Sequence, residues 1–389
     1  MKKLVDKYAG KLSAAGLADK PLVCGLDDEI IWNRDDESIP ILQKVMESMN
    51  INSLVCAVPS EPYRTILRYL AANANGTITP RDCETRTFLH DLPVTGSFSA
   101  DAILERLNKR KSVIINNKSG IVIVTYGSVS PEQAFITFSS VCFSAFVLFF
   151  SQYLTTIRQG TCPAAMHAAF VRAASFPAEP QNTSPRLASG PFTTPGEVLK
   201  AIIQAGRVTV QYKLVDSYFG NISYRLDDTI YISQTGSSLD ELAGCIDPCP
   251  LDGSSCAGIT ASSELTAHTE IFLRTGNLAI LHGHPRFAVI LSMDCRMREC
   301  PDQNKCHIRC PEKRFIEDIP IVPGEVGTGP SGLCQTLPPA VRNRRGAIVW
   351  GHGLFTVGKN DFNEAFKNLL EIENMCRNRY FELVREASR

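Results

Sequence analysis

The run Leu278-Ala279-Ile280-Leu281-His282-Gly283-His284-Pro285 is apolar, of strand length, carries two histidines and is closed by a proline. Residues two apart on a strand point to the same face. A buried strand here can therefore present the imidazoles of His282 and His284 to one metal ion. A third histidine, His352, stands in Val349-Trp350-Gly351-His352-Gly353-Leu354. Gly283, Gly351 and Gly353 remove side chains beside these residues and let the backbone come close. Three histidines plus an open position is the usual form of a catalytic zinc site. Any one of the three read alone is a satisfied core or surface histidine; the pair together with Gly-His-Gly points to a metal.

A chain of 389 residues is comfortable for two domains. Residues 175–197 are rich in Pro, Ser, Thr and Gly, the composition of a linker or long surface connection. We expect an N-terminal unit over 1–174, a linker over 175–190 and a C-terminal unit over 191–389. The units read as distant copies. Asn108-Lys109-Arg110 with Gly127, Glu132, Ala134 and Phe135 parallels Asn343-Arg344-Arg345 with Gly358, Glu364, Ala365 and Phe366. Upstream, Asn52 to Pro59 parallels Leu278 to Pro285, with Cys56 and Val58 where the histidine pair stands. Chance periodicity of an α/β chain is the alternative.

Formal charge is balanced, with 40 basic and 40 acidic residues, so no nucleic acid is expected as a partner. The N-terminus has charge but no apolar stretch behind it, so no secretory signal is expected and the expected location is cytoplasmic. Residues 134–157 carry no charge and are long enough to span a bilayer. Interruption by Thr137, Ser139, Ser140, Ser144, Ser151 and Gln152 favours a buried helix over a membrane span. The chain has 14 cysteines, unevenly placed. Cys295, Cys300, Cys306 and Cys310 fall within sixteen residues, and Cys245, Cys249 and Cys256 form a second group. Four such thiolates can bind structural zinc or an iron–sulfur cluster, although the spacing is standard for neither. Buried free thiols and disulfides are the alternatives.

Apolar spacing predicts helices over 196–205 and 360–385. Ile222 to Ile232 reads as a hairpin turning at Asp227-Asp228. Ser262-Ser263-Glu264 precedes a helix whose start a serine can cap. The pattern is α plus mixed β, with no Gly-x-Gly-x-x-Gly fingerprint and no P-loop.

Five motifs in order, Gly220-Asn221-Ile222-Ser223, Thr235-Gly236, Ser262-Ser263-Glu264, His282-Gly283-His284-Pro285 and Gly351-His352-Gly353, resemble the class II aldolase/adducin superfamily, with L-fuculose-1-phosphate aldolase as its best-known type. The resemblance runs from near Pro195 to the C-terminus. It implies an α/β fold: an α/β/α sandwich around a mixed, largely antiparallel sheet, duplicated if the N-terminal unit is a degenerate copy without metal ligands. It implies that His282, His284 and His352 are zinc (or other divalent metal) ligands. Glu264 would be a carboxylate that touches the metal in the empty site and acts as the base once substrate displaces it. Asn221, Thr235, Gly236, Ser262 and Ser263 match the family's phosphate pocket, where backbone N–H groups and short hydroxyls suit an anion. Read without the family, Glu264 is a carboxylate favoured at a helix start, and the Ser and Thr are capping and turn residues.

The implied activity is that of a metal-dependent lyase, aldolase-type (EC 4.1.2-like), acting on a phosphorylated ketose or related hydroxy-carbonyl compound through a zinc-stabilised enediolate. The pentulose-phosphate epimerases of the superfamily carry Asp where this chain has Glu264, which favours C–C cleavage and leaves a dehydratase or decarboxylase open. The aldolases use a tyrosine after the His-x-His strand as proton donor; residues 294–349 contain none, so that step does not carry over. The competing class is a non-catalytic, adducin-like binding or assembly protein. Adducin-type heads lose the metal histidines, and this chain keeps all three. The expected partners are a small phosphorylated substrate and further copies of the chain, with no membrane.

Overall fold

The computed structural model describes residues 1–176, 183–215, 219–295, 297, 299–302, 305–324 and 328–388. The chain divides into two compact units, Met1–Ala178 and Glu179–Arg389. Part of the expected linker, residues 177–182, lies outside the described residues. The stretch leading into the second unit's first helix is held down within that unit: the Leu187 N–H donates to Asn363 Oδ1 at 2.8 Å, and the Gly190 N–H to Asp361 Oδ2 at 2.9 Å.

The first unit comprises α1 (Lys2–Ala14), β1 (Leu22–Leu26), β2 (Ile30–Trp32), α2 (Ile39–Ser48), β3 (Ser53–Ala57), α3 (Tyr63–Ala72), β4 (Thr77–Ile78), α4 (Cys83–Leu89), β5 (Leu92–Thr95), α5 (Ala100–Leu107), β6 (Ser112–Asn117), β7 (Gly120–Gly127), α6 (Pro131–Arg158) and α7 (Ala164–Ala174). Its sheet runs β2-β1-β3-β7-β6-β5-β4. Every neighbouring pair is antiparallel except β5 and β6, which are parallel. Leu42, Val45 and Met46 of α2 and Ile103 and Leu107 of α5 pack on one face, against Leu54, Cys56, Val113 and Val124. The uncharged stretch over 134–157 is the middle of α6. That helix has the length and mean hydropathy of a membrane span, yet 89% of its most apolar window is buried among the other elements. Such a helix, apolar on all sides, is what a core position demands.

The second unit comprises α8 (Pro195–Gln211), β8 (Asn221–Leu226), β9 (Thr229–Ser233), β10 (Ile246–Pro250), α9 (Leu265–Thr275), β11 (Ala279–Gly283), α10 (Arg286–Met293), β12 (Arg314–Ile316), β13 (Ile319–Val322), α11 (Leu333–Val341), β14 (Gly346–Val349), β15 (Gly353–Gly358) and α12 (Phe362–Ala387). α8 opens with a full capping box from Thr194 and Glu197. β8 and β9 form the expected hairpin, its turn at Asp227-Asp228 with Asp227 at φ 51°. The sheet order is β10-β9-β8-β11-β15-β14-β13-β12. It is again antiparallel throughout save for one parallel pair, β13 and β14.

Apart from the added β10, the strand order and directions of the second sheet repeat those of the first. Ile271 and Phe272 of α9 and Leu337 and Val341 of α11 cover one face, against Ile232, Ile280, Val349 and Phe355. Gly283, on the opposite parity of β11, looks toward Leu369 of α12. The strand alternation thus sends His282 to the α9 side and leaves α12 behind the sheet.

Candidate metal centre

β11 carries His282 in register opposite Asn221 of β8 on one side and Phe355 of β15 on the other. His284 follows just past the strand end, where Pro285 caps α10. The hairpin between β14 and β15 closes at Val349 and Gly353, and its turn holds His352. Because Gly283 pairs with Leu354, this turn lies beside the end of β11. Gly351 adopts φ 59°, a left-handed conformation that costs other residues energy. A Cβ on Gly353 would stand 2.6 Å from the Gly283 carbonyl oxygen, 2.6 Å from His282 Cε1 and 2.9 Å from His284 Cδ2. A glycine is what lets the two strands close around the histidines.

The donor atoms of His282, His284 and His352 all lie within 4.8 Å of one another. Among the described residues no other group of three or more His, Cys, Asp or Glu converges so closely. The Nε2 atoms of His282 and His284 are 3.0 Å apart. Tetrahedral zinc with Zn–N bonds of about 2.0–2.1 Å separates two ligand nitrogens by about 3.3 Å. Nδ1 of His282 stands 3.1 Å from the Leu354 carbonyl oxygen. A carbonyl only accepts, so Nδ1 bears the proton and Nε2 keeps its lone pair. Burial and then the neighbouring imidazoles of His284 and His352 push the pKa of His282 well below its ordinary value. Burial and then His352 do the same to His284. Neutral imidazoles are the form that ligates a cation.

Glu264 completes the cluster. It occupies the N-cap position of α9 and is 5% exposed, as buried as the histidines it faces. Its Oε1 is 3.3 Å from His352 Nε2, and its Oε2 is 3.6 Å from His282 Nε2. Asn221 Nδ2 donates to Oε2 at 2.6 Å. Three imidazole nitrogens and a carboxylate oxygen, all shielded from water, are a donor set suited to a divalent ion.

The residues expected to hold phosphate are placed as follows. Asn221 points to Glu264. Thr235 Oγ1 accepts from the Ser263 N–H at 3.1 Å and donates to the Ala261 carbonyl at 3.0 Å. Gly236 follows at φ 72° with open space where a Cβ would stand. Ser262 is buried, and its Oγ accepts from the Glu264 N–H at 3.3 Å. The chain therefore brings Thr235, Gly236, Ser262 and Ser263 to one place beside the start of α9. No serine caps that helix; Glu264 itself stands at the cap position without a side-chain cap bond.

Apart from Ser223, the further neighbours of the site stand outside the five sequence motifs. Phe355 stacks on His282 with ring centroids 3.9 Å apart, and Phe219 on His284 at 5.6 Å. Ser223 Oγ and His268 Nδ1 are 2.6 Å apart behind the metal cluster, and burial lowers the His268 pKa to about 3. Glu373 reaches from α12 to accept from the Phe287 and Ala288 N–H groups, both at 2.9 Å, and so caps the helix that follows His284. Strand alternation in β8, β11 and β15 could have suggested Ser223 and Phe355. Nothing in the sequence near Glu373 announces its role.

Residues 200–380 match the family model described as class II aldolase and adducin N-terminal domain. The C-terminal half is a class II aldolase-like domain. A methylthioribulose-1-phosphate dehydratase of Gluconobacter oxydans is 27% identical over 189 residues, covering 43% of this chain and 84% of that protein. Among solved structures, L-fuculose-1-phosphate aldolase from Thermus thermophilus is 25% identical, with a TM-score of 0.38, over 47% of this chain and 92% of its own. YgbL of Klebsiella pneumoniae, described as a putative aldolase/epimerase/decarboxylase, is 22% identical with a TM-score of 0.39, over 50% of this chain and 99% of its own. The family assignment rests on the sequence match over 200–380.

Proposed function

We propose that the aldolase-like domain is a metal-dependent lyase acting on a phosphorylated ketose or a closely related hydroxy-carbonyl compound. His282, His284 and His352 hold a divalent ion, zinc by their chemistry, and Glu264 is the base. The observation that carries this reading is the placement of a buried carboxylate against two of the three imidazole donors, held by Asn221. When bound, the ion supplies a positive charge beside the substrate carbonyl, which makes a proton on the adjacent carbon removable at neutral pH. Glu264 takes that proton. Asn221 orients the carboxylate through its bond to Oε2. Thr235, Gly236, Ser262 and Ser263 seat the phosphate at the start of α9, where N–H groups and hydroxyls suit an anion. Phe219 and Phe355 pack on the imidazoles and keep water from them.

Aldol cleavage and dehydration share this proton abstraction. Two observations favour the dehydration branch: the likeness to a named dehydratase, and the lack of any tyrosine in 294–349 to serve as an aldolase-type proton donor. Glu264→Gln keeps size and hydrogen bonding but removes basicity. Since positioned bases contribute about 10²–10⁴-fold, the variant should lose at least about two orders of magnitude in exchange of a ketose-phosphate α-proton with solvent, while retaining its metal. Wild-type exchange in the metal-loaded variant excludes Glu264 as base. No exchange by metal-loaded wild type across a panel of ketose phosphates favours the adducin-like binding reading. Product analysis separates cleavage from loss of water.

We further propose that the N-terminal unit is a degenerate copy of the same domain. By sheet register, Cys56 stands where His282 does and Leu22 where Asn221 does. Ser38, the N-cap of α2, stands where Glu264 does. Asn108 follows α5 and Asn343 follows α11, each just before the matching strand. Without imidazoles or a carboxylate at these positions the N-terminal unit has no use for a metal.

A further inference from the structure

We propose that Asp247 is a positioning residue that fastens the two halves of the phosphate seat to each other, and so sets how tightly the domain holds a phosphorylated substrate. The proposal rests on the reading of Thr235, Gly236, Ser262 and Ser263 as that seat. The seat is made of two segments, one leaving β9 and one entering α9. The Thr235 N–H donates to the Thr260 carbonyl at 3.0 Å, and the Ser262 N–H to the Ser233 carbonyl at 3.0 Å. Gln234 and Ala261 form an isolated antiparallel bridge between the segments. Thr235 Oγ1 spans the same joint, to the Ala261 carbonyl and the Ser263 N–H. A pairing this short is a weak joint by itself, and an anion held across it feels any change in the separation of its walls.

Asp247 lies on β10, the edge strand, in register opposite Ile232 of β9. Residues directly opposite each other on neighbouring strands share a face, and Ile232 packs with Ile271 and Phe272 of α9. The carboxylate is therefore turned inward, onto the α9 side, and it is buried. An apolar side chain would suit that place; a carboxylate there is costly unless donors meet it. Both of its oxygens are met, and by side chains beside the seat. Oδ1 accepts from Gln234 Nε2 at 2.7 Å, and Oδ2 accepts from Thr260 Oγ1 at 2.6 Å. Gln234 immediately precedes Thr235, and Thr260 stands two residues before Ser262. One carboxylate thus grips both segments, through bonds stronger than those between neutral groups. The strand that carries it is the one the first sheet lacks: that sheet ends at β2. The clamp accompanies the histidine cluster, not the strand order common to both units.

The test titrates the zinc-loaded full chain with inorganic phosphate in a calorimeter. Asp247→Ala should weaken phosphate binding at least about tenfold while zinc content is retained. In exchange of a ketose-phosphate α-proton the loss should appear in KM far more than in kcat. Thr260→Val removes one of the two donors at an exposed position and keeps the side chain's shape, so it tests the clamp even if Asp247→Ala fails to fold. It should weaken phosphate in the same direction, and add little in the Asp247→Ala background, because it acts through Asp247. Asp247→Asn should restore the wild-type affinity: its amide can accept from Thr260 and donate to Gln234, whose own amide turns to present its oxygen. Wild-type phosphate affinity in folded Asp247→Ala or Thr260→Val protein overturns the clamp and leaves the seat standing. Asp247→Asn as weak as Asp247→Ala overturns it too, since charge and not the tie would then decide. Zinc-loaded wild type that binds no phosphate overturns the seat, and the clamp with it, without touching the assignment of the three histidines.

Discussion

At the scale of single residues the site depends on what is absent as much as on what binds. Gly353 shows this best, because any side chain there meets the Gly283 carbonyl and both imidazoles of the His-x-His pair. Overpacking of this kind typically costs about 1–3 kcal/mol. Here it also displaces the two imidazoles. Gly353→Ala should lower thermal stability by that order and weaken metal binding at least tenfold, measured by competition with a chromophoric chelator. Unchanged affinity in a folded Gly353→Ala protein would show that the close approach of β15 to the histidines does not matter. The histidines and glycines were legible from the sequence because strand alternation and short-range spacing fix them. The contact of Glu264 with the imidazoles was not legible from local chemistry, since a carboxylate at a helix start has an ordinary explanation. It came only with the family resemblance.

At the scale of elements, the strand of the histidine pair is braced from behind by α12. Glu373 lies 86 residues from Phe287 in sequence, and no local pattern couples them, so this brace could not be read in advance. Burial raises the Glu373 carboxyl to about 7, opposed by the two N–H groups it accepts from and by Arg286 and Arg377. The ordinary value is 4.5, so the folded chain holds this proton more tightly than the unfolded one. The associated stability is complete below pH about 4.5 and is lost as pH rises to about 7. Glu373→Gln cannot ionise and keeps an oxygen acceptor. Relative to the variant, the wild type should therefore lose stability across that window, by up to about 3 kcal/mol, read from urea unfolding at both ends of it. A pH-independent difference would mean that Glu373 is ionised at both ends or neutral at both. The hairpin at Asp227-Asp228, α8 and α12 were legible from turn residues and apolar spacing. α6 was legible as a long apolar helix, and only its neighbours show that it is enclosed by protein.

At the scale of the whole chain, the two units share one strand order and one set of strand directions apart from the added β10, and the histidine cluster lies in the second. The proposal that the N-terminal unit is a degenerate copy draws on this shared strand order and on the sequence parallels of Pro59 and Pro285 after corresponding strands and of Asn108 and Asn343 before corresponding strands. On that proposal the sequence signals are few because side chains drift once no ligand constrains them. The central claim is that the second unit holds a divalent ion between β11, the β14–β15 turn and the start of α9. The most direct measurement is anomalous scattering at the zinc edge from crystals of the full chain. It should place an ion about 2.0–2.1 Å from imidazole nitrogens of His282, His284 and His352, and that peak should be missing from His352→Ala crystals of the same fold. A zinc-loaded wild-type crystal with no anomalous peak among these three histidines would contradict the account.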